Sequence, residues 1–139
     1  MLKKCRYLTL LILFIITAIS GKTLYVAPGG NDQNSGTIGN PWQTIQKGLD
    51  HSFAGDTLMI RGGAYYIKDN LFVKNSGTKK NWVTIMAYPG EEVAINADTV
   101  AKHLKDAREG WRWHGSLHIT GVKYIRLKGL TILYSHCGG

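Results

Sequence analysis

The sequence predicts an all-β chain whose short strands coil into a solenoid, with an amphipathic helix laid over one end. Three observations point there. Pairs of apolar residues two apart recur at Leu58/Ile60, Leu71/Val73, Val83/Ile85, Val93/Ile95, Leu117/Ile119, Ile125/Leu127 and Leu130/Ile132. Each pair sets two side chains on one face of a strand. Turn-forming residues separate the pairs: Gly62-Gly63, Asn75-Ser76-Gly77, Pro89-Gly90, Gly121 and Gly129. A helical pattern, Trp42, Ile45 and Leu49 on one face, runs straight into the first of these strands.

The first element is a leader. Lys3, Lys4 and Arg6 precede an uncharged run from Leu8 to Ile19. A helix of that length rises about 18 Å, too short for a bilayer core of about 30 Å. Ala18 and Ser20 place small residues where a signal peptidase reads. Residues 1–20 are therefore expected to be a signal peptide and 21–139 the mature domain, secreted to the extracellular space or periplasm. No stable membrane span is expected after cleavage. An uncleaved anchor is the alternative.

Charge and cysteine content narrow the partners. The chain holds 17 Lys and Arg against 9 Asp and Glu. The leader takes three of those cations, so the mature part keeps 14 against 9, a net of +5. This mild excess suits an acidic polysaccharide or a membrane surface, or simply a solvated surface with no special partner. No Lys/Arg run is dense enough for nucleic acid. Cys5 lies in the leader, so Cys137 alone remains and no internal disulfide is possible.

Residues 28–40, PGGNDQNSGTIGN, carry turn chemistry. Asp32, Asn34 and Gly36 have some features of a calcium loop, but the spacing fails the EF-hand pattern and no closing Glu follows. A structural turn is expected. The helix should then start with Asn40 as cap, Pro41 in the first turn and Gln43 reaching back, and should stop at Gly55. In the strand after it, Leu58 and Ile60 face one way and Thr57, Met59 and Arg61 the other.

Similar apolar pairs return after about 22 to 25 positions, from Leu58 to Val83, Leu71 to Val93 and Val93 to Leu117. Strands repeating at that period without crossover helices fit a solenoid. The competing architecture is an antiparallel sandwich. It is weakened by turns of irregular length and by the lack of a two-residue Asn-Gly or Asp-Gly hairpin between neighbouring strands. One segment breaks the pattern. Residues 98–110 are expected to form a short helical insertion, capped by Asp98 and ended by Gly110, that delivers Trp111-Arg112-Trp113-His114 to the next strand.

These residues resemble a known family. Tyr25-Val26, the Gly30–Gly36 turn, Pro41-Trp42-Gln43-Thr44-Ile45, Gly55-Asp56-Thr57 and Gly62-Gly63-Ala64-Tyr65 are similar to the amino-terminal opening of secreted right-handed parallel β-helix proteins of the pectate-lyase-like superfamily. NWVTIMAYPGEEVAIN and YIRLKGLTI resemble the coil repeats of the same proteins. The resemblance implies a right-handed parallel β-helix of about three coils with an amino-terminal capping helix. Nothing after Ile132 looks like a second cap, so the chain is expected to be the front part of a longer protein, truncated at its C-terminus.

The resemblance also implies chemistry, a polysaccharide lyase cleaving a pectate-like uronic-acid polymer by β-elimination. Such lyases use a Lys or Arg base and calcium held by Asp residues in coils nearer the middle of the helix. No such Asp cluster is visible here, so no metal site or cofactor is assigned to this chain. Calcium is an expectation for the full-length protein, and the fragment itself is expected to be inactive. Two alternatives stay open: a non-catalytic glycan-binding or adhesion β-helix, and a glycoside hydrolase on the same fold.

Candidate substrate contacts follow from residue type. Trp111 and Trp113 offer aromatic faces for sugar rings, and Arg112 and His114 flank them with charge. The plain alternative is that both Trp pack the insertion onto the coil. In YIRLKGLTI, Tyr124, Arg126 and Lys128 should point outward together, where the cations could hold uronate carboxylates or could merely solvate a strand face. His103, His118 and His136 lack metal-like spacing and read as surface or turn residues. Asp106 and Glu109 would be neighbours on one helix, which excludes them as a glycosidase pair.

Overall fold

The structure, a computed structural model, describes residues 21–97 and 117–133. The expected signal peptide, the 98–110 insertion, the Trp111–His114 tetrapeptide and Cys137 all lie outside the described residues. In chain order the elements are β1 (Thr23–Val26), α1 (Ile45–Asp50), β2 (Thr57–Ile60), β3 (Gly63–Tyr66) and β4 (Leu71–Phe72). They continue with β5 (Val83–Ala87), β6 (Val93–Asn96), β7 (Leu117–His118), β8 (Ile125–Lys128) and β9 (Leu130–Leu133).

Every pairing between these strands is parallel. One sheet runs β1-β2-β5-β8, a second β3-β6-β9 and a third β4-β7. The chain visits the sheets in turn and then returns to lie on its own previous pass. Parallel neighbours joined this way make a solenoid, and the antiparallel sandwich is ruled out for the described residues.

Register sets the core. Leu24, Leu58, Ile85 and Leu127 form one inward column, and Val26, Ile60 and Ala87 the next. In the second sheet Tyr65 stacks on Ile95 and Ile132, and in the third Leu71 on Leu117. The apolar pairs therefore do point inward through β6, but the expected spacing does not survive. Leu58 stacks on Ile85 rather than Val83, Leu71 on Leu117 rather than Val93, and Val93 on Leu130 rather than Leu117. Turn length explains the miss. Only residues 61–62 separate β2 from β3, whereas 73–82 separate β4 from β5. A single period read across such unequal turns pairs strands of different sheets.

The helix also begins later than its sequence suggests. Thr44, not Asn40, is the N-cap, its hydroxyl accepting from the Lys47 amide at 3.3 Å. Asp32 fixes this start from outside the helix. Its carboxylate accepts from the Gln43 and Thr44 amides, each at 2.9 Å, and from the Thr44 hydroxyl at 2.7 Å. Burial pushes the Asp32 carboxyl up, but these bonds outweigh it and hold the group below the usual carboxylate range. Trp42 precedes the helix and bridges Val26 as an extra strand residue. Its inward position holds nonetheless, with Trp42, Ile45 and Leu49 all buried.

The helix ends at Asp50, and Gly55 instead supplies a left-handed turn at φ 93° before β2. Next to it Asp56 is buried, accepting from the Lys22 amide at 2.7 Å and the Phe53 amide at 2.9 Å. Gly48 faces β1 and β2 so closely that an added Cβ would lie 2.7 Å from Leu58 Cδ1 and 2.8 Å from Val26 Cγ2. Helix packing at this distance requires glycine, at a cost in helix propensity.

Candidate functional site

Two outward surfaces collect aromatic and charged side chains. The first is on the β1-β2-β5-β8 sheet. Arg126 pairs in register with Thr84, and Lys128 with Met86, both cations exposed. The Arg126 guanidinium lies 5.2 Å from the centre of the Trp82 ring. Trp82 meets Tyr124 edge-on, with centroids 5.7 Å apart and planes at 73°. Tyr124 precedes β8 with a left-handed backbone, φ 58°, so it does not continue the strand as the sequence suggested. It nonetheless sits beside Arg126 through their shared contact with Trp82.

Trp82 is the residue that sequence reasoning missed. Its signal was available: Trp82-Val83-Thr84-Ile85 and Tyr124-Ile125-Arg126-Leu127 share one aromatic–apolar–polar–apolar pattern, and the structure stacks them in that register. Trp82 is 39 % exposed, so part of its surface stays open to a ligand. A cation over an indole keeps guanidinium N–H groups for a carboxylate, which suits an acidic sugar.

The second surface is on the β4-β7 sheet. Phe72 stacks on His118 with centroids 4.8 Å apart and planes at 20°. Lys74 and His118 line a cleft of about 360 Å³ beside this pair. His118 was read as a surface or turn residue, but β7 holds it half-buried with Nε2 lacking a partner. Lys74 pairs with Asp50 at 2.9 Å. Burial raises the Asp50 carboxyl, but hydrogen bonds from Lys74 and Gln46 and the Lys74 charge hold it below its ordinary value. Trp111, Arg112, Trp113 and His114 lie outside the described residues. Arg126 and Lys128 belong to a different sheet from β7.

Glu91 holds two neighbouring coils together. Glu91 takes Arg61 at 2.7 Å and also accepts from the Gly62 amide at 2.6 Å. The Arg61 and Gly62 bonds depress Glu91, and the same partner raises Arg61. Arg61 also lies 4.6 Å from the centre of the Tyr88 ring. Tyr65 is buried below, donating to the Arg61 carbonyl at 2.8 Å, and burial raises its phenol. Among the described residues no three His, Cys, Asp or Glu side chains converge as a metal site would need. Asp32, Asp50, Asp56 and Glu91 are each bound to backbone amides or side-chain donors.

Residues 24–138 match the family described as Pel9A-like, right-handed β-helix region. The chain belongs to this family. The Pel9A-like chain is 33 % identical over 124 residues to pectate lyase PEL9 of Emericella nidulans, a match covering 77 % of this chain and 30 % of that protein. It is 43 % identical over 82 residues to the uncharacterized protein YwoF of Bacillus subtilis, covering 59 % of this chain and 17 % of the relative. Among solved structures, a rhamnogalacturonan lyase superposes with a TM-score of 0.63 at 22 % identity, over 81 % of this chain and 28 % of the other. That likeness concerns the fold. The chain thus spans less than a third of the length of either curated relative. No helix among the described residues is long and apolar enough to cross a membrane.

Proposed function

We propose that this Pel9A-like chain supplies the amino-terminal coils of a secreted polysaccharide lyase that cleaves a uronic-acid polymer by β-elimination. The observation that carries the reading is the match to pectate lyase PEL9 along 77 % of the chain. In the reaction a base takes the proton from the carbon bearing the carboxylate. The electron pair forms a carbon–carbon double bond as the glycosidic oxygen leaves, giving an unsaturated uronate. The coils are those built on β2–β4, β5–β7 and β8–β9, with α1 closing the leading end. The catalytic groups and any calcium belong to coils beyond these, and this portion alone is inactive.

Within this reading, Arg126 and Lys128 hold substrate carboxylates while Trp82 offers a ring face to the sugar. Trp111, Arg112, Trp113 and His114 are further candidate contacts by residue type. The test is absorbance of the unsaturated product from the full-length protein on polygalacturonate, with and without a calcium chelator. No product on any acidic polymer overturns the lyase reading. Mass spectrometry of the exported protein tests secretion, with Gly21 expected as its first residue.

The Trp82–Tyr124–Arg126 cluster also favours a second reading, a non-catalytic glycan-binding β-helix, because this cluster needs no catalytic group. Retention on polygalacturonate without turnover would support it.

A further inference from the structure

Each of the three sheets has a leading edge, and the three are closed differently. Ahead of β2 lies β1, paired along its whole length. Ahead of β4 lies the Gln46 side chain. Its Oε1 accepts from the Phe72 amide at 2.8 Å and its Nε2 donates to the Phe72 carbonyl at 3.1 Å, as a neighbouring strand would. Ahead of β3 no strand lies among the described residues. In a parallel pair, alternate residues direct both backbone groups to the neighbour. Gly63 donates to Glu92 and Ile67 to Asn96, so the groups of Ala64 and Tyr66 turn to the open edge.

That edge opens on a cleft of about 600 Å³ between the β3–β4 segment and the start of α1. Tyr66, Lys68, Asp69, Asn70 and Gln43 line it. Tyr66 is 72 % exposed. Asn70 Oδ1 is buried and has no hydrogen-bond partner among the described residues, so it offers nothing to a ligand in the cleft. Lys68 and Asp69 cancel in charge. The volume lies in the range of small-ligand sites, which combine apolar walls with a few polar groups.

We propose that this cleft is a binding site for a neutral saccharide of one or two rings, separate from the acidic-polymer surface and independent of the lyase reading. Sugar hydroxyls both donate and accept, matching the open amide and carbonyl groups of Ala64 and Tyr66. An aromatic such as Tyr66 suits the apolar face of a ring. The balanced charge gives no preference for a polyanion. An extended peptide fits less well. Pro28 stands against Gly63 at one end, 2.8 Å from where a Cβ would be. Ala64 and Tyr66 span only about 7 Å of edge, too short for a stable added strand.

The test is amide chemical-shift mapping of the full chain with xylobiose, cellobiose and galactobiose as probes, beside trigalacturonate and an extended valine-rich hexapeptide. Saturable shifts at Ala64–Asn70 with a neutral disaccharide are expected, unchanged by added salt. Tyr66→Ala should weaken that binding about fivefold or more, while Arg126→Ala leaves it unaltered. Tyr66 is exposed, so its loss is not expected to unfold the chain. No shift at these amides with any neutral disaccharide, or shifts there only with trigalacturonate or the peptide, would overturn the proposal.

Discussion

The first and the last described strands of this solenoid are written in the same pattern and buried very differently in the chain as given. At the leading end Leu58 and Ile60 are wholly enclosed, with α1 packed against β1, β2 and β4. In the last described strands Leu127, in the same inward column as Leu58 and Ile85, is 40 % exposed, and Leu133 is 47 % exposed. An alternating apolar pair therefore fixes the direction of a side chain but not its burial. Burial requires a neighbouring layer on both sides. Polar atoms follow the same division. Asp32, Gln46 and Asp56 tie down free backbone groups at the leading end.

The sharpest way to break this comparison is to truncate the same column at two heights. Ile85→Ala should cost about 3 kcal/mol, because it leaves a cavity between stacked neighbours. In the 139-residue chain Leu127→Ala should cost about 1 kcal/mol or less, since a side chain exposed there has less to lose. Urea unfolding of both variants decides it, and equal losses would refute the contrast.

Next in size is Gly48→Ala. A better helix former should here destabilise by about 2 kcal/mol, because Leu58 and Val26 must move for the methyl group. A stabilised variant would mean that α1 is not pressed on the sheet.

Asp32→Ala removes three hydrogen bonds and should cost about 1–2 kcal/mol by thermal or urea unfolding. It also carries a pH signature. The carboxyl lies lower in the folded chain than its ordinary value of 3.8. Its contribution is thus complete above that value and is lost as pH falls through the folded pKa. Asp50, also depressed, acts in the same sense. Stability should decline on acidification below about pH 4, and Asp32→Asn should flatten part of that decline.

Gln46→Ala should cost about 1 kcal/mol and speed hydrogen exchange at the Phe72 amide, whose partner it removes. Unchanged exchange would show that the edge of β4 does not need this clasp. The smallest effect on stability belongs to Arg126→Ala, within about 0.5 kcal/mol, since an exposed cation over an indole contributes little to folding. Its expected readout is weaker retention on polygalacturonate.

Much of this architecture could be read from the residues. Leu58/Ile60, Val83/Ile85 and Val93/Ile95 point inward as their alternation requires, because side-chain direction in a strand is a local property. Trp42, Ile45 and Leu49 face the core for a similar reason. The helix cap was less legible. Asn40-Pro41 is a sound local start signal, but Asp32 and Thr44 take the role through a contact that closes a long turn. The outward cluster was half legible: Arg126 and Lys128 could be placed outside, while Trp82 could be found only by aligning two coils.

Alternation, turn residues and helical spacing are local and survive without knowledge of partners, so an all-β solenoid with an amphipathic helix ahead of its strands could be read from the residues alone. Only the tertiary structure decided the pairing. Unequal turns shift the return of the chain, so which strand lies on which is a property of the closed coil. The same holds for the Trp82–Arg126 contact, the Gln46 clasp on β4 and the open edge of β3. Each depends on residues far apart in sequence that meet only when one coil is laid on the next.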